Sequence, residues 1–183
     1  LVGDPDQLPP VGPGNLLSDL RRSGRVAEVR LTEIFRQAQE SAIVMSAHAV
    51  NRGECPDLSN RAGDVFFLRR LDPEQAAKTV AELCGRRLPR NMGIPPDQIQ
   101  VLSPTRRYAT GTAHLNRLLQ EALNPPETGK RERAFGPYLF REGDRVMQIR
   151  NNYDILWTRG DGSESGMGIF NGDIGKIISI SPG

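Results

Sequence analysis

The chain is poor in cysteine, with only Cys55 and Cys84 in 183 residues. Two thiols so far apart build neither a disulfide framework nor a metal clip. Histidine is as scarce: His48 and His114 stand alone, which excludes a His-based zinc site and places both on helix surfaces. No metal held by protein ligands is expected. No run approaches the roughly 18 to 20 apolar residues of a membrane span, and no signal peptide is visible, so a soluble chain in a reduced, cytoplasmic setting is expected, with no membrane partner. Neither sign of charge dominates, 24 Lys+Arg against 22 Asp+Glu, and the net +2 excludes any broad field that alone would point to nucleic acid. Lysine is nearly missing: Lys78, Lys130 and Lys176 leave 21 arginines among the 24 basic residues. The densest basic stretch sets Lys130, Arg131, Arg133, Arg141, Arg145 and Arg150 against three acids, and a solvated face is its plainest reading. Also absent are a Gly-x-x-x-x-Gly-Lys-(Ser/Thr) phosphate loop and an Asp-Glu metal box, which excludes an autonomous ATP site of the usual kind.

What is present starts at the first residues. Leu1-Val2 has no initiator Met before it and reads as the end of a buried strand, and the alternating run Ile177 to Ile180 reads as a strand at the far end. The chain is therefore expected to be a piece of a longer protein. Between these ends, Leu16, Leu17 and Leu20 mark a short helix stopped by Gly24, and Ile43, Val44, Ala47 and Val50 mark another over Glu40 to Asn51. Pro73 opens a helix carrying Ala76, Ala77, Val80, Leu83 and Cys84, and Leu115, Leu118, Leu119, Ala122 and Leu123 form the stripe of one ended by Asn124-Pro125-Pro126. Strands are expected at Val26 to Leu31, Asp64 to Arg70 and Ile99 to Leu102. This alternation implies an α/β fold with a mainly parallel sheet. From Tyr138 the helical period vanishes. Short runs at Arg145 to Ile149, Ile155 to Thr158 and Ile174 to Ile180, separated by Gly-rich turns, imply a small antiparallel β module. Lys130 to Gly136 would be a polar connection into it, and Trp157 to Met167 a mobile hairpin tip.

Four segments carry candidate chemistry. Leu-Val-Gly-Asp-Pro-Asp-Gln-Leu-Pro-Pro-Val-Gly-Pro-Gly is a Gly/Pro-dense turn after a strand end, the usual ligand edge of an α/β sheet, and it presents Gly3, Asp4 and Gln7. Asp4 equally suits capping of nearby backbone amides. Leu-Thr-Glu-Ile-Phe-Arg-Gln-Ala places Arg36 beside an aromatic residue. Ser-Pro-Thr-Arg-Arg-Tyr-Ala-Thr-Gly-Thr, from Ser103, lies before a helix N-terminus, where Thr105, Arg106 and Arg107 suit phosphate contact without sequence readout. Gly143 to Asp154 with Phe170 to Gly175 brings Asn151, Asn152 and Tyr153, which reach a ligand or simply form a β-turn with a packed ring; Asn171-Gly172 is in the first place a hairpin turn.

The first segment resembles motif III of superfamily 1 helicases in its RecD-like form, a branch that includes the exodeoxyribonuclease V alpha-subunit and TraA-type relaxase helicases. The second resembles motif IV, the third the single-strand groove segment of the second motor domain, and the fourth the start of an inserted Src-homology-type β-barrel. The resemblance implies the edge of a first RecA-like motor domain over 1–25, part of a second over 26–137 and the start of the barrel over 138–183. It implies an ATP-dependent, 5′ to 3′ DNA helicase of repair or recombination, using ATP and Mg2+ in the intact protein and neither in this chain alone. Gln7 and Arg36 would face the γ-phosphate as water-orienting residue and arginine finger, with Asp4 in the same turn, and Gly3 would allow close nucleotide approach. Thr105, Arg106, Arg107, Asn151 and Asn152 would line the path of single-stranded DNA. The missing first motor domain and other repair subunits would be the partners. The rival readings are a stand-alone single-strand-binding or protein-docking module without ATPase activity, and the helicase part of a relaxase.

Overall fold

The computed structural model describes residues 2–4, 7, 12–31, 41–59 and 63–181, and the chain divides into two compact units, Leu1–Arg69 and Arg70–Gly183. In the first unit, helix α1 (Leu16–Ser23) begins where Asn15 Oδ1 accepts the Ser18 amide at 3.3 Å. It carries Asp19 in its first turn and Arg21 and Arg22 in its last, matching the helix dipole, and ends at Gly24 with φ 61°. Helix α2 (Ala42–Asn51) is capped from both sequence and space: Ser41 accepts the Val44 amide, while Asp64 accepts the Ala42 amide at 3.0 Å and the Ser41 hydroxyl at 2.7 Å. The Ser41 hydrogen bond, above all, holds the Asp64 carboxyl below its usual range. Asp64 thus serves as a helix cap and not as the first residue of a strand.

The second unit centres on a helical crossing. Helix α3 (Pro73–Glu82) starts with Asp72 accepting the Glu74 amide at 2.9 Å and Pro73 in the first turn, where its missing N–H costs nothing. It continues through a π turn (Leu83–Arg87) into α4 (Leu88–Met92), which stops at Gly93 with φ 67°. Leu88 N–H reaches Leu83 O, five residues back. Pro89 explains the widening: it lacks a donor, and its ring would meet a carbonyl of the preceding turn in a regular α-helix. A 3-10 turn (Pro96–Gln98) follows, and then α5 (Thr112–Leu123) packs on α3 and the π turn. Ala77, Cys84 and Leu115 are buried at this crossing. Gly85 faces α5 at this crossing, where an added Cβ would make an ordinary contact with the Leu123 side chain at 3.6 Å. Burial raises the Cys84 thiol pKa and keeps the group neutral.

The chain then becomes β. Strands β1 (Glu132–Phe135) and β2 (Tyr138–Arg141) form an antiparallel hairpin, β3 (Arg145–Met147) pairs with β6 (Ile174–Lys176), and β4 (Asn152–Thr158) pairs with β5 (Ser165–Ile169), again antiparallel. The β4–β5 register shifts between Asn152 and Leu156. Trp157 lies opposite Gly166, and a Cβ on that glycine would fall 2.5 Å from the indole. The ring therefore covers the backbone of its cross-strand neighbour.

The β module is tied to the end of α5 by buried polar groups. Asp144 accepts the Gln120 amide at 2.6 Å, the Asn124 amide at 2.7 Å and the Arg141 backbone N–H at 2.7 Å. Arg141, only 2% exposed, pairs with Glu132 at 2.5 Å and Glu121 at 3.5 Å and donates to the Asn124 carbonyl. Glu132, foremost, raises the already high Arg141 pKa. Glu142 joins the backbone N–H of Ile180 at 2.8 Å to that of Arg131 at 3.1 Å, and these bonds lower its pKa.

Several expectations require correction. Val26 to Leu31, Asp64 to Arg70 and Ile99 to Leu102 are not strands; Val29 and Leu31 are 93% and 95% exposed. A strand needs a neighbouring ladder, and none is offered to them among the described residues. The mainly parallel sheet is accordingly not seen there, and the described strands form three separate antiparallel pairs and no closed barrel. Lys130 to Gly136 contains strand β1 and is not merely a connection. The hairpin tip is confined to Arg159–Glu164, where Arg159 N–H donates to Glu164 O at 2.7 Å and the side chains pair at 3.2 Å. The basic stretch is no simple solvated face, because Lys130, Arg131, Arg141 and Arg145 all bond within the unit.

Candidate nucleotide and nucleic-acid sites

The opening turn holds its two polar side chains together. Gln7 N–H donates to Asp4 O at 3.3 Å, and Gln7 Nε2 donates to an Asp4 carboxylate oxygen at 3.2 Å. This bracket leaves the Gln7 carbonyl oxygen as the amide's acceptor and fixes its direction. Gly3 lies against α1, where an added Cβ would be 2.9 Å from Leu17 Cδ2. Gly3, Asp4 and Gln7 are all exposed. One amide and one carboxylate fit a single contact to a nucleotide or its attacking water, not the charge of a whole triphosphate. Among the described residues no cluster of three or more His, Cys, Asp or Glu side chains could hold a metal. Arg36, with most of its motif, lies outside the described residues, as do Pro5, Asp6 and residues 8–11 of the first motif.

The Ser103–Thr112 loop is built as a closed knot. Ser103 Oγ bonds Thr110 O at 2.8 Å and Thr105 O at 3.1 Å, Gly111 N–H returns to Tyr108 O at 3.0 Å, and Thr112 N–H donates to Thr105 O at 3.0 Å. Gly111 is required at the closure, because a Cβ there would stand 2.1 Å from Arg107 O. The Thr112 and Ala113 amides at the start of α5 are thereby occupied by the Thr105 and Arg106 carbonyls. Arg106 and Arg107 are exposed for phosphate contact, whereas Thr105 Oγ1 is drawn back to the Arg107 backbone. Tyr108 stands beside them with φ 69° and 83% exposure, a residue that motif reading passed over. The aromatic letter beside two arginines was its only signal in the sequence.

The two segments of the β module meet in space. Asn151 Oδ1 accepts the Asn171 N–H at 2.9 Å, its amide donates to the Tyr153 hydroxyl at 3.1 Å, and Tyr153 packs edge-on against Phe170 at 5.7 Å. Asn152 Oδ1 caps the Asp154 N–H at 3.1 Å. These bonds favour the turn-forming role of Asn151 and Asn152. Tyr153 itself is 64% exposed.

His48 and His114 lie on helices, as expected; His114 stands 3.0 Å from Arg117 and 3.8 Å from Glu74. Cys55 is exposed and Cys84 buried, and both are free thiols. No helix among the described residues is long and apolar enough to cross a membrane.

Residues 115–183 match the SH3 domain of ATP-dependent RecD-like DNA helicases, and residues 1–67 match the AAA domain. The chain is RecD-like, as its motifs indicated. One relative is the ATP-dependent RecD2 DNA helicase of Deinococcus radiodurans, 35% identical over 178 residues, which cover 97% of this chain and 21% of that protein. The chain thus spans about a fifth of the length of that curated relative.

Proposed function

We propose that this chain is a working segment of an ATP-dependent DNA helicase, translocating 5′ to 3′ in repair or recombination, with ATP and Mg2+ bound mainly by parts of the protein outside it. The observation that carries this reading is the 35% identity to the RecD2 helicase along 97% of the chain. The domain division 1–25, 26–137 and 138–183 belongs to the same proposal, as does a mainly parallel sheet in the motor domains of the intact protein.

In this reading Gln7, steered by Asp4, orients the attacking water or faces the γ-phosphate, and Arg36 supplies a permanent positive charge where negative charge develops. Gly3 permits close approach of the turn. Arg106 and Arg107 contact the backbone of single-stranded DNA without reading bases, with Thr105 shaping their loop. Asn151 and Asn152 hold the β-module turn beside that path. The chain alone is inactive as an ATPase, since one bracketed amide and one arginine provide little of a triphosphate's binding.

The test is DNA-stimulated ATP hydrolysis by the full-length protein carrying Gln7→Ala or Arg36→Ala. Both variants are expected to bind single-stranded DNA normally and to lose stimulated hydrolysis by a factor of about 100 or more. Hydrolysis that survives both changes would show that the region makes a passive DNA or protein contact.

A further inference from the structure

We propose that Tyr108 is a stacking platform for one base of single-stranded DNA, an inference that rests on the reading of the Ser103–Thr112 loop as a DNA contact. Tyr108 has φ 69°, a left-handed conformation that a bulky L-residue adopts only at a cost in folding free energy. The residue is 83% exposed, so burial returns little of that cost. The conformation persists because the residues around it are over-determined: Ser103 Oγ grips Thr110 O at 2.8 Å, Thr112 N–H grips Thr105 O at 3.0 Å, and Gly111 N–H bonds the Tyr108 carbonyl itself at 3.0 Å. A strained residue held in place by its surroundings marks a position kept for function. The ligand follows from the neighbours. Arg106 and Arg107 directly precede Tyr108 in the chain and are exposed like it, so two cations for phosphates and one π face for a base lie on the same short loop. Single-stranded nucleic acid is recognised by that combination irrespective of sequence, because every base has a face to stack. In a duplex the bases are stacked on one another and cannot reach the ring, so the ligand is single-stranded DNA.

The experiment compares full-length wild-type protein with Tyr108→Ala, Tyr108→Phe, Tyr108→Gly and the double variant Arg106→Ala/Arg107→Ala. Each is titrated by fluorescence anisotropy with an oligothymidylate and with an abasic deoxyribose-phosphate oligomer of equal length. Tyr108→Ala and Tyr108→Gly are expected to weaken oligothymidylate binding on the order of 10-fold while leaving the abasic strand unchanged. Tyr108→Phe keeps both affinities. Tyr108→Gly also melts at or above the wild-type temperature, which separates lost stacking from lost folding. Wild-type affinity of the Ala and Gly variants for oligothymidylate overturns the proposal, and equal loss on both strands overturns it in favour of a ring that packs against protein. If the wild type binds neither strand, or the double arginine variant alters neither affinity, the DNA reading of the loop falls and the stacking role with it. If the arginine variant weakens both strands while the tyrosine variants change nothing, the groove reading survives and the platform alone is refuted.

Discussion

Asp144 shows how much one side chain organises here. Its two carboxylate oxygens take the Gln120 and Asn124 amides from the last turns of α5 and the Arg141 N–H from β2. Each is a charge-assisted bond in a half-buried place, and removing the carboxylate takes the acceptor from the Arg141 N–H and leaves the Gln120 and Asn124 amides only the Leu139 and Glu142 carbonyls. Asp144→Ala is therefore expected to destabilise the second unit by roughly 2–3 kcal/mol. The midpoint of urea unfolding checks this, and an unchanged midpoint would mean that water replaces Asp144 without loss. The segment from Gly143 drew notice for its asparagines and not for Asp144, because two of the three partners of that carboxylate lie 20 and 24 residues away. Gln7 is the opposite case: its partner is three residues off within one motif. Asn151 stands between the two, named in the sequence as a turn or contact residue and found bonded to Asn171 across 20 residues.

At the scale of elements, helices followed their local signals closely. Asn15, Ser41 and Asp72 cap the helices they precede, Gly24 and Gly93 stop α1 and α4, and Asn124 ends α5. These devices act within a few residues, so they are legible in sequence. The extension of α3 through a π turn into α4 was not, since Pro89 signals a break, whereas the rod runs on through the Leu88 N–H to Leu83 O bond with Ala77 and Cys84 buried along it. The Ser103–Thr112 loop depends on a similar long view. Its Gly111 has an ordinary negative φ of −75°, so its necessity comes from the Arg107 carbonyl beside it and not from backbone freedom. Gly111→Ala forces a methyl to 2.1 Å from that oxygen and is expected to open the loop, costing about 2 kcal/mol or more. A lowered melting temperature, with faster amide exchange at Thr112 and Gly111, is the outcome to look for; unchanged exchange at both would show that the loop is not closed by this contact.

For the molecule as a whole, acid stability follows from carboxylates placed in each unit. Asp64 caps α2 in the first unit and Glu142 bridges the Ile180 and Arg131 amides in the second. Both carboxyls are held below their ordinary pKa, chiefly by the Ser41 hydroxyl and the Ile180 N–H respectively. A group whose folded pKa lies below its unfolded value stabilises the fold above the unfolded pKa, and that contribution is lost as pH falls through the folded one. Stability should therefore hold at neutral pH and decline from about pH 4 downward. The Asp64→Asn and Glu142→Gln variants should each lose stability at pH 7 and show a shallower decline in acid. Thermal melts between pH 7 and pH 3 decide this; a variant that keeps the full acid slope would assign it to other carboxylates.

Sequence alone determined what depends on neighbours along the chain: the caps of α1, α2 and α3, the stops of α1 and α5, the hairpin turns, the motif that brackets Gln7 with Asp4, and the RecD-like likeness borne by several ordered segments. Tertiary structure decided what depends on distant partners. Asp64 became a cap for α2 because the fold sets it beside Ser41, 23 residues away in the chain, and Arg141 became buried because Glu132, Glu121 and the Asn124 carbonyl converge on it. Tyr108 became an exposed, strained ring because bonds between Ser103, Thr105, Thr110 and Thr112 close the loop beneath it. Residue type and spacing specify the short-range bonds, whereas burial and strain exist only once remote segments share the same space.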